Sequence, residues 1–173
     1  MQPWPRLGEE VAHHGDRTMV RRRYRRPDGG EAGFDITLHG ETTSVLALTD
    51  DGRVVLTRQF RPGPERVLLD LPGGFVDDGE DPTAAAAREL REETGYAGDV
   101  RPAGRTTPNP YSTEVRHIFV ATGCRRVEEP STDVNEDVEV VLVSVAELRD
   151  LVRTDRLTVV DGTYLALDAL GLL

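Results

Sequence analysis

A chain of 173 residues with 38% hydrophobic residues suits one core of domain size, and a single cysteine, Cys124, excludes an intrachain disulfide. A formal charge of -10 argues against general nucleic-acid binding. No apolar run approaches the roughly 18 residues of a membrane span, and the opening MQPWPRLGEEVAHHGD has no signal-peptide shape, so a soluble, cytoplasmic protein is expected. All 21 basic residues are arginine, and they are unevenly spread. Residues 1–26 hold seven arginines against Glu9, Glu10 and Asp16, a balance of +4, which leaves -14 for the remainder. The run MVRRRYRR reads either as a solvated edge strand whose charges oppose aggregation or as a surface for an anionic ligand.

In chain order, residues 19–26 and 33–38 read as strands joined by the turn residues PDGG. In SVLALTDDGRVVLTRQF, two β-branched apolar runs flank Asp51-Gly52, a strong hairpin signal. RPGPER interrupts the pattern, VLLDLP resumes it, and GGFVDDGED is a loop. Asp81 can cap a helix with Pro82 at its first position, TAAAARELREET has high helix propensity, and Gly95 suits the position after its end. PAGRTTPNPYST looks loop-like, VRHIFVA alternates as a strand, RRVEEPSTDVNED is an acidic loop and VEVVLVSV another strand. Ser144 and Glu147 have capping-box spacing ahead of AELRDLV, and DGTYLALDAL reads as a closing helix before Gly171. Strands on both sides of one strong helix, with helices at the end, indicate an α/β or α+β sandwich rather than a doubly wound sheet.

The stretch RELREETG places Glu89, Glu92 and Glu93 within an arc of roughly 100° on one helix. Arg88 can pair with Glu92, four residues on, but Glu89 and Glu93 share the same spacing and repel. A carboxylate cluster on one face is what a hard divalent cation requires, because magnesium takes oxygen ligands, water and substrate phosphates. The competing reading is an exposed, salt-bridged helix, although such helices more often alternate sign.

Residues 74–96, GFVDDGEDPTAAAARELREETGY, match the Nudix box, G-x5-E-x7-R-E-U-x-E-E-x-G-U with U a bulky aliphatic residue. Gly74, Glu80, Arg88, Glu89, Leu90, Glu92, Glu93 and Gly95 are all in register, and only Tyr96 departs, at the last aliphatic position. The chain therefore resembles the Nudix hydrolases. The resemblance implies an α/β/α sandwich around a mixed sheet, residues 41–173, preceded by N-terminal antiparallel strands, residues 1–40, that serve dimerisation. It implies Mg2+-dependent (or Mn2+-dependent) hydrolysis of a nucleoside diphosphate linked to another group. It assigns the metal to Glu89, Glu92, Glu93 and the carbonyl of Gly73, and structural roles to Gly74, Glu80, Arg88 and Gly95. The chemistry is consistent with this: pyrophosphate hydrolysis needs oxygen charge neutralised and a water activated, which bound metal supplies without a protein nucleophile. The four histidines are scattered, and His117 reads as a packed or edge residue.

Features outside the box resemble the ADP-ribose pyrophosphatase branch. These are TSVLALTDDGRVVLTRQFRPG, Pro110 fifteen residues beyond Gly95, and the late run VNEDVEVVLVSVAEL. By that resemblance Arg58, Arg61 and Pro110 bind substrate and Glu92, Glu93 and Glu136 are the catalytic carboxylates; the general base is Glu136 or Asp133, or Glu92 orients the water instead. Tyr24, Phe34 and Phe60 could stack a base, though packing explains each. Two departures stand out: Asn109-Pro110-Tyr111 replaces the branch's Ser-Pro-Gly, and Val134 stands where a glutamate is usual. The expected partner is a small nucleotide, ADP-ribose first, with a homodimer and neither nucleic acid nor membrane. The alternatives are another nucleotide sugar such as GDP-mannose, a nucleoside triphosphate, or ADP-ribose sensing without cleavage. The intact box and the lack of spare length after residue 143 for a DNA-binding module weigh against sensing.

Overall fold

The computed structural model of the chain describes residues 1–131 and 137–173. Asp133, Val134 and Glu136 of the late acidic loop lie outside the described residues. The chain divides into two compact units, residues 1–40 with 107–115, and residues 41–106 with 116–173. Among the described residues, no helix is long and apolar enough to cross a membrane.

The first unit is a three-stranded antiparallel sheet of β1 (Arg6–His14), β2 (Thr18–Arg25) and β3 (Glu31–Leu38). β2 is its central strand, so the edge-strand reading of MVRRRYRR is corrected. β1 supplies the second neighbour. Its sequence, RLGEEVAHH, is mostly exposed and gives little alternating signal. Val20 of β2 and Ile36, directly across from it on β3, are buried. The arginines of β2 are paired across the sheet: Arg21 with Asp35 at 2.9 Å, Arg22 with Glu9 at 2.6 Å and Arg25 with Glu31 at 3.5 Å. Phe34 packs against Trp4, Tyr24 and Tyr111, with ring centroids 6.5, 6.1 and 6.1 Å away.

The second unit is the α/β/α sandwich. Its sheet runs β6 (Arg66–Asp70), β5 (Arg53–Arg61), β4 (Glu41–Thr49), β8 (Val115–Arg126), β7 (Tyr96–Thr106), and β9 (Glu139–Ser144) pairs with β5. Successive strand residues face opposite sides, and both sides are apolar. Leu46, Leu56, Ile118 and Val120 pack with Leu148 of α2 (Val145–Leu151) and Ala166 and Leu167 of α3 (Val160–Ala169). Val45, Ala47, Val55, Phe119 and Ala121 pack with Ala86 and Leu90 of α1 (Pro82–Thr94). Two-sided burial explains why β4 and β5 read as continuous apolar runs.

The expected hairpin turns at Gly52, and the capping box of α2 is closed in both directions between Ser144 and Glu147. The loop expected over residues 102–113 is also corrected: residues 102–106 extend β7, which pairs with β8 through two register shifts, between Ala97 and Asp99 and between Pro102 and Gly104. Those bulges break the period-two pattern that would have marked the strand.

Helix α1 starts where Asp81 accepts hydrogen bonds from the N–H groups of Thr83 (2.8 Å) and Ala84 (3.3 Å), which hold its carboxyl below the usual range. It ends at Gly95, whose φ of 73° is left-handed and whose N–H donates to the Arg91 carbonyl at 2.7 Å. A Cβ on Gly95 would fall 2.2 Å from the Glu128 carbonyl oxygen. Gly95→Ala should therefore combine left-handed strain with a backbone clash and cost about 2 kcal/mol or more. Calorimetry should show a melting temperature lower by roughly 4–8 °C; an unchanged value would contradict this account of the helix end.

Candidate active site

Arg88 is the centre of the site. Its Nε and Nη2 donate to the two oxygens of Glu80 at 3.0 Å each, a fork-to-fork pair between helix and loop. Nη1 donates to Glu89 at 2.8 Å and to Glu92 at 3.0 Å, and Nη2 also reaches the Phe75 carbonyl at 3.0 Å. One cation thus neutralises much of the charge of three carboxylates. Arg88, followed by the Asp77 N–H, holds the Glu80 carboxyl below the usual carboxylate range, and Glu80 in turn drives the guanidinium pKa further up.

Glu93 points elsewhere. It is 8% exposed and accepts the Gly73 N–H at 2.9 Å. The carbonyls on either side are engaged by β4, Pro72 by the Val45 N–H at 2.9 Å and Gly74 by the Thr43 N–H at 2.8 Å. Glu89 lies over Gly74, where a Cβ would fall 2.5 Å from its carboxylate, so a larger residue at 74 would push the Glu89 side chain aside. The Gly73-Gly74 backbone therefore has one glutamate of α1 bonded to its N–H and another lying against it.

Among the described residues, no three acidic, histidine or cysteine side chains converge closely enough to hold a metal as they stand. The donor set nevertheless fits a hard divalent ion: carboxylate oxygens of Glu89, Glu92 and Glu93 with backbone oxygen beside them. The reason they do not converge is that Glu89 and Glu92 turn toward Arg88 and Glu93 toward Gly73.

The two arginines expected at the substrate diverge. Arg58 pairs with Glu139 of β9 at 3.1 Å, and Arg61 pairs with Asp70 of β6. Pro110 belongs to the first unit, in a turn where Asn109 accepts the Tyr111 N–H at 2.8 Å. His117 is bonded to Glu41 at 2.6 Å. Asp70 was not singled out from the sequence. Its signal is an acid inside the apolar run VLLDLP, a residue type rarely buried unless paired.

Comparison with known proteins agrees with this architecture. The model of the NUDIX domain matches residues 38–162. An ADP-ribose pyrophosphatase of Bacillus subtilis (strain 168) is 35% identical over 132 residues, covering 74% of this chain and 71% of the relative. A CMP-5'-(N-acetyl-N-hydroxy-3-aminopropyl)phosphonate hydrolase of Streptomyces rubellomurinus is 32% identical over 178 residues, covering 98% and 83%. The crystal structure of an ADP compounds hydrolase superimposes with a TM-score of 0.83 over 100% of this chain and 98% of that one, at 22% identity, which speaks for the fold. With the box residues gathered on α1 and its preceding loop, the chain belongs to the NUDIX domain family and is a Nudix hydrolase.

Proposed function

We propose that this hydrolase cleaves the pyrophosphate of a nucleoside diphosphate sugar, with ADP-ribose, giving AMP and ribose 5-phosphate, as its first substrate. The observation that carries the reading is the hydrogen bond from the Gly73 N–H to Glu93, with Glu89 lying over Gly74, in a chain 35% identical to an ADP-ribose pyrophosphatase. The reaction adds water across a P–O–P link: one new P–O bond forms, and the bridging oxygen leaves as a phosphomonoester.

Glu89, Glu92 and Glu93 with the Gly73 carbonyl would hold the divalent ion, Mg2+ or in its place Mn2+. When bound, such an ion offsets pyrophosphate charge and lowers the pKa of a water. The protein's own part is placement. The Gly73 N–H fixes Glu93, and the Glu80–Arg88 fork fixes the loop against α1. Glu92, the most exposed of the three carboxylates bonded to Arg88, is suited to accept a proton from the attacking water, the role for which Glu136 is the other candidate. Two copies are expected to pair through the β1–β3 extension, where Leu7, Val11 and Met19 are exposed.

The whole-length likeness to a hydrolase of a CMP-linked phosphonate favours a second reading, a cytidine nucleotide linked to another group. A panel of nucleoside diphosphate sugars, CMP conjugates and triphosphates, with phosphomonoester products read by a coupled phosphatase, separates the two. Fastest turnover of ADP-ribose is expected; preference for the CMP conjugate would replace it, and no turnover would remove both. Glu93→Gln should lower kcat by about 100-fold or more with the circular dichroism spectrum unchanged. Near-normal turnover would remove Glu93 from the machinery.

A further inference from the structure

Thr43, on β4, is 2% exposed, and its hydroxyl oxygen is buried without a hydrogen-bond partner. Other buried threonines of the same unit are satisfied: Thr49 donates to the Arg53 carbonyl at 3.0 Å, and Thr163 to the Val159 carbonyl at 2.6 Å. An unpaired buried hydroxyl destabilises a fold, and a valine of nearly the same shape would not. Such groups are few in native folds, and each calls for a reason.

Two independent observations place this side chain at the carboxylates of α1. The first is alternation along the strand. Val45 and Ala47 pack with Ala86 and Leu90 of α1, and Thr43 follows them on the same face of β4. The second is register. Thr42 pairs antiparallel with Phe75, the Val76 N–H donates to the Glu41 carbonyl at 3.0 Å, and the Thr43 N–H donates to the Gly74 carbonyl at 2.8 Å. Thr43 is thus directly opposite Gly74. Residues opposed in this way share a face, with Cβ positions about 4.5–5.5 Å apart. Gly74 has no Cβ, and the Glu89 carboxylate takes that space, its atoms 2.5 to 2.7 Å from where a Cβ would stand. The Thr43 hydroxyl and the Glu89 carboxylate are therefore neighbours across a glycine. Glu89 is bonded to Arg88 at 2.8 Å, not to Thr43.

We propose that Thr43 is a positioning residue for the divalent ion: its hydroxyl donates to the Glu89 carboxylate in the ion-loaded protein and fixes the direction of the carboxylate oxygens. A carboxylate has about four lone-pair sites, so one group can serve an ion and a hydroxyl together. Gly74 keeps the space between the two free of a side chain. A hydrogen bond of this kind orients a metal ligand and raises affinity about 10–100-fold. The inference rests on the divalent-ion reading above and adds to it a group from β4, outside the 74–96 box.

The test is equilibrium binding of Mn2+ to the full, substrate-free chain, read by the paramagnetic resonance of the free ion. Thr43→Val should lower the affinity about tenfold. Thr43→Ser, which keeps the hydroxyl, should stay within about threefold of wild type. In a Glu89→Ala background, Thr43→Val should take away no further affinity, because its partner is already gone. Equal affinity of Thr43→Val and wild type would overturn the proposal. So would a serine variant as weak as the valine one, which would assign the position to packing, or a further tenfold loss in the Glu89→Ala background, which would assign the hydroxyl to another group. Should Thr43→Val fail to fold, Thr43→Ala against Thr43→Ser carries the same comparison, and equal affinities there overturn the proposal as well. A wild type that binds no Mn2+ would sink the divalent-ion reading; saturable binding untouched by Thr43→Val would sink this inference alone.

Discussion

A single guanidinium holds this site together. Arg88 binds Glu80 with a two-pronged fork, Glu89 and Glu92 with its third nitrogen, and the Phe75 carbonyl besides. Carboxylates so closely spaced on one helix would otherwise repel, and the 75–80 loop would lose its tie to α1. Glu80 lies eight residues before Arg88, so the interaction joins loop and helix rather than neighbouring turns. Around it, Glu89 closes over Gly74 and Glu93 takes the Gly73 N–H. The loop is thereby fixed at the sheet end of the helix, and β4 fixes its other side through the Thr43 and Val45 N–H groups.

The same arrangement explains why the glutamates are grouped without converging. Positive charge from Arg88 and a backbone dipole from Gly73 offset the carboxylates.

Much of this was legible in the sequence, for physical reasons. The helix start at Asp81-Pro82, its stop at Gly95, the Asp51-Gly52 turn and the Ser144–Glu147 box are local interactions, complete within a few residues. The 74–96 spacing is equally local. What was hidden depends on long-range pairing. β1 is mostly exposed and offers no apolar period, yet it makes β2 a central strand. β7 is interrupted by two bulges that scramble alternation. Asp70 matters only because β5 brings Arg61 beside it, a pairing that the run VLLDLP cannot announce.

The central claim is that the carboxylates of α1 are there to hold a divalent ion. The most direct measurement is equilibrium binding of Mn2+, followed through the paramagnetic resonance signal of the free ion, in the wild type and in the Glu89→Gln/Glu93→Gln double variant. The account predicts saturable binding by the wild type and an affinity about 100-fold lower in the double variant, with the same circular dichroism spectrum. Equal affinity in the two proteins would contradict it, and would return RELREETG to the role of a salt-bridged helix face.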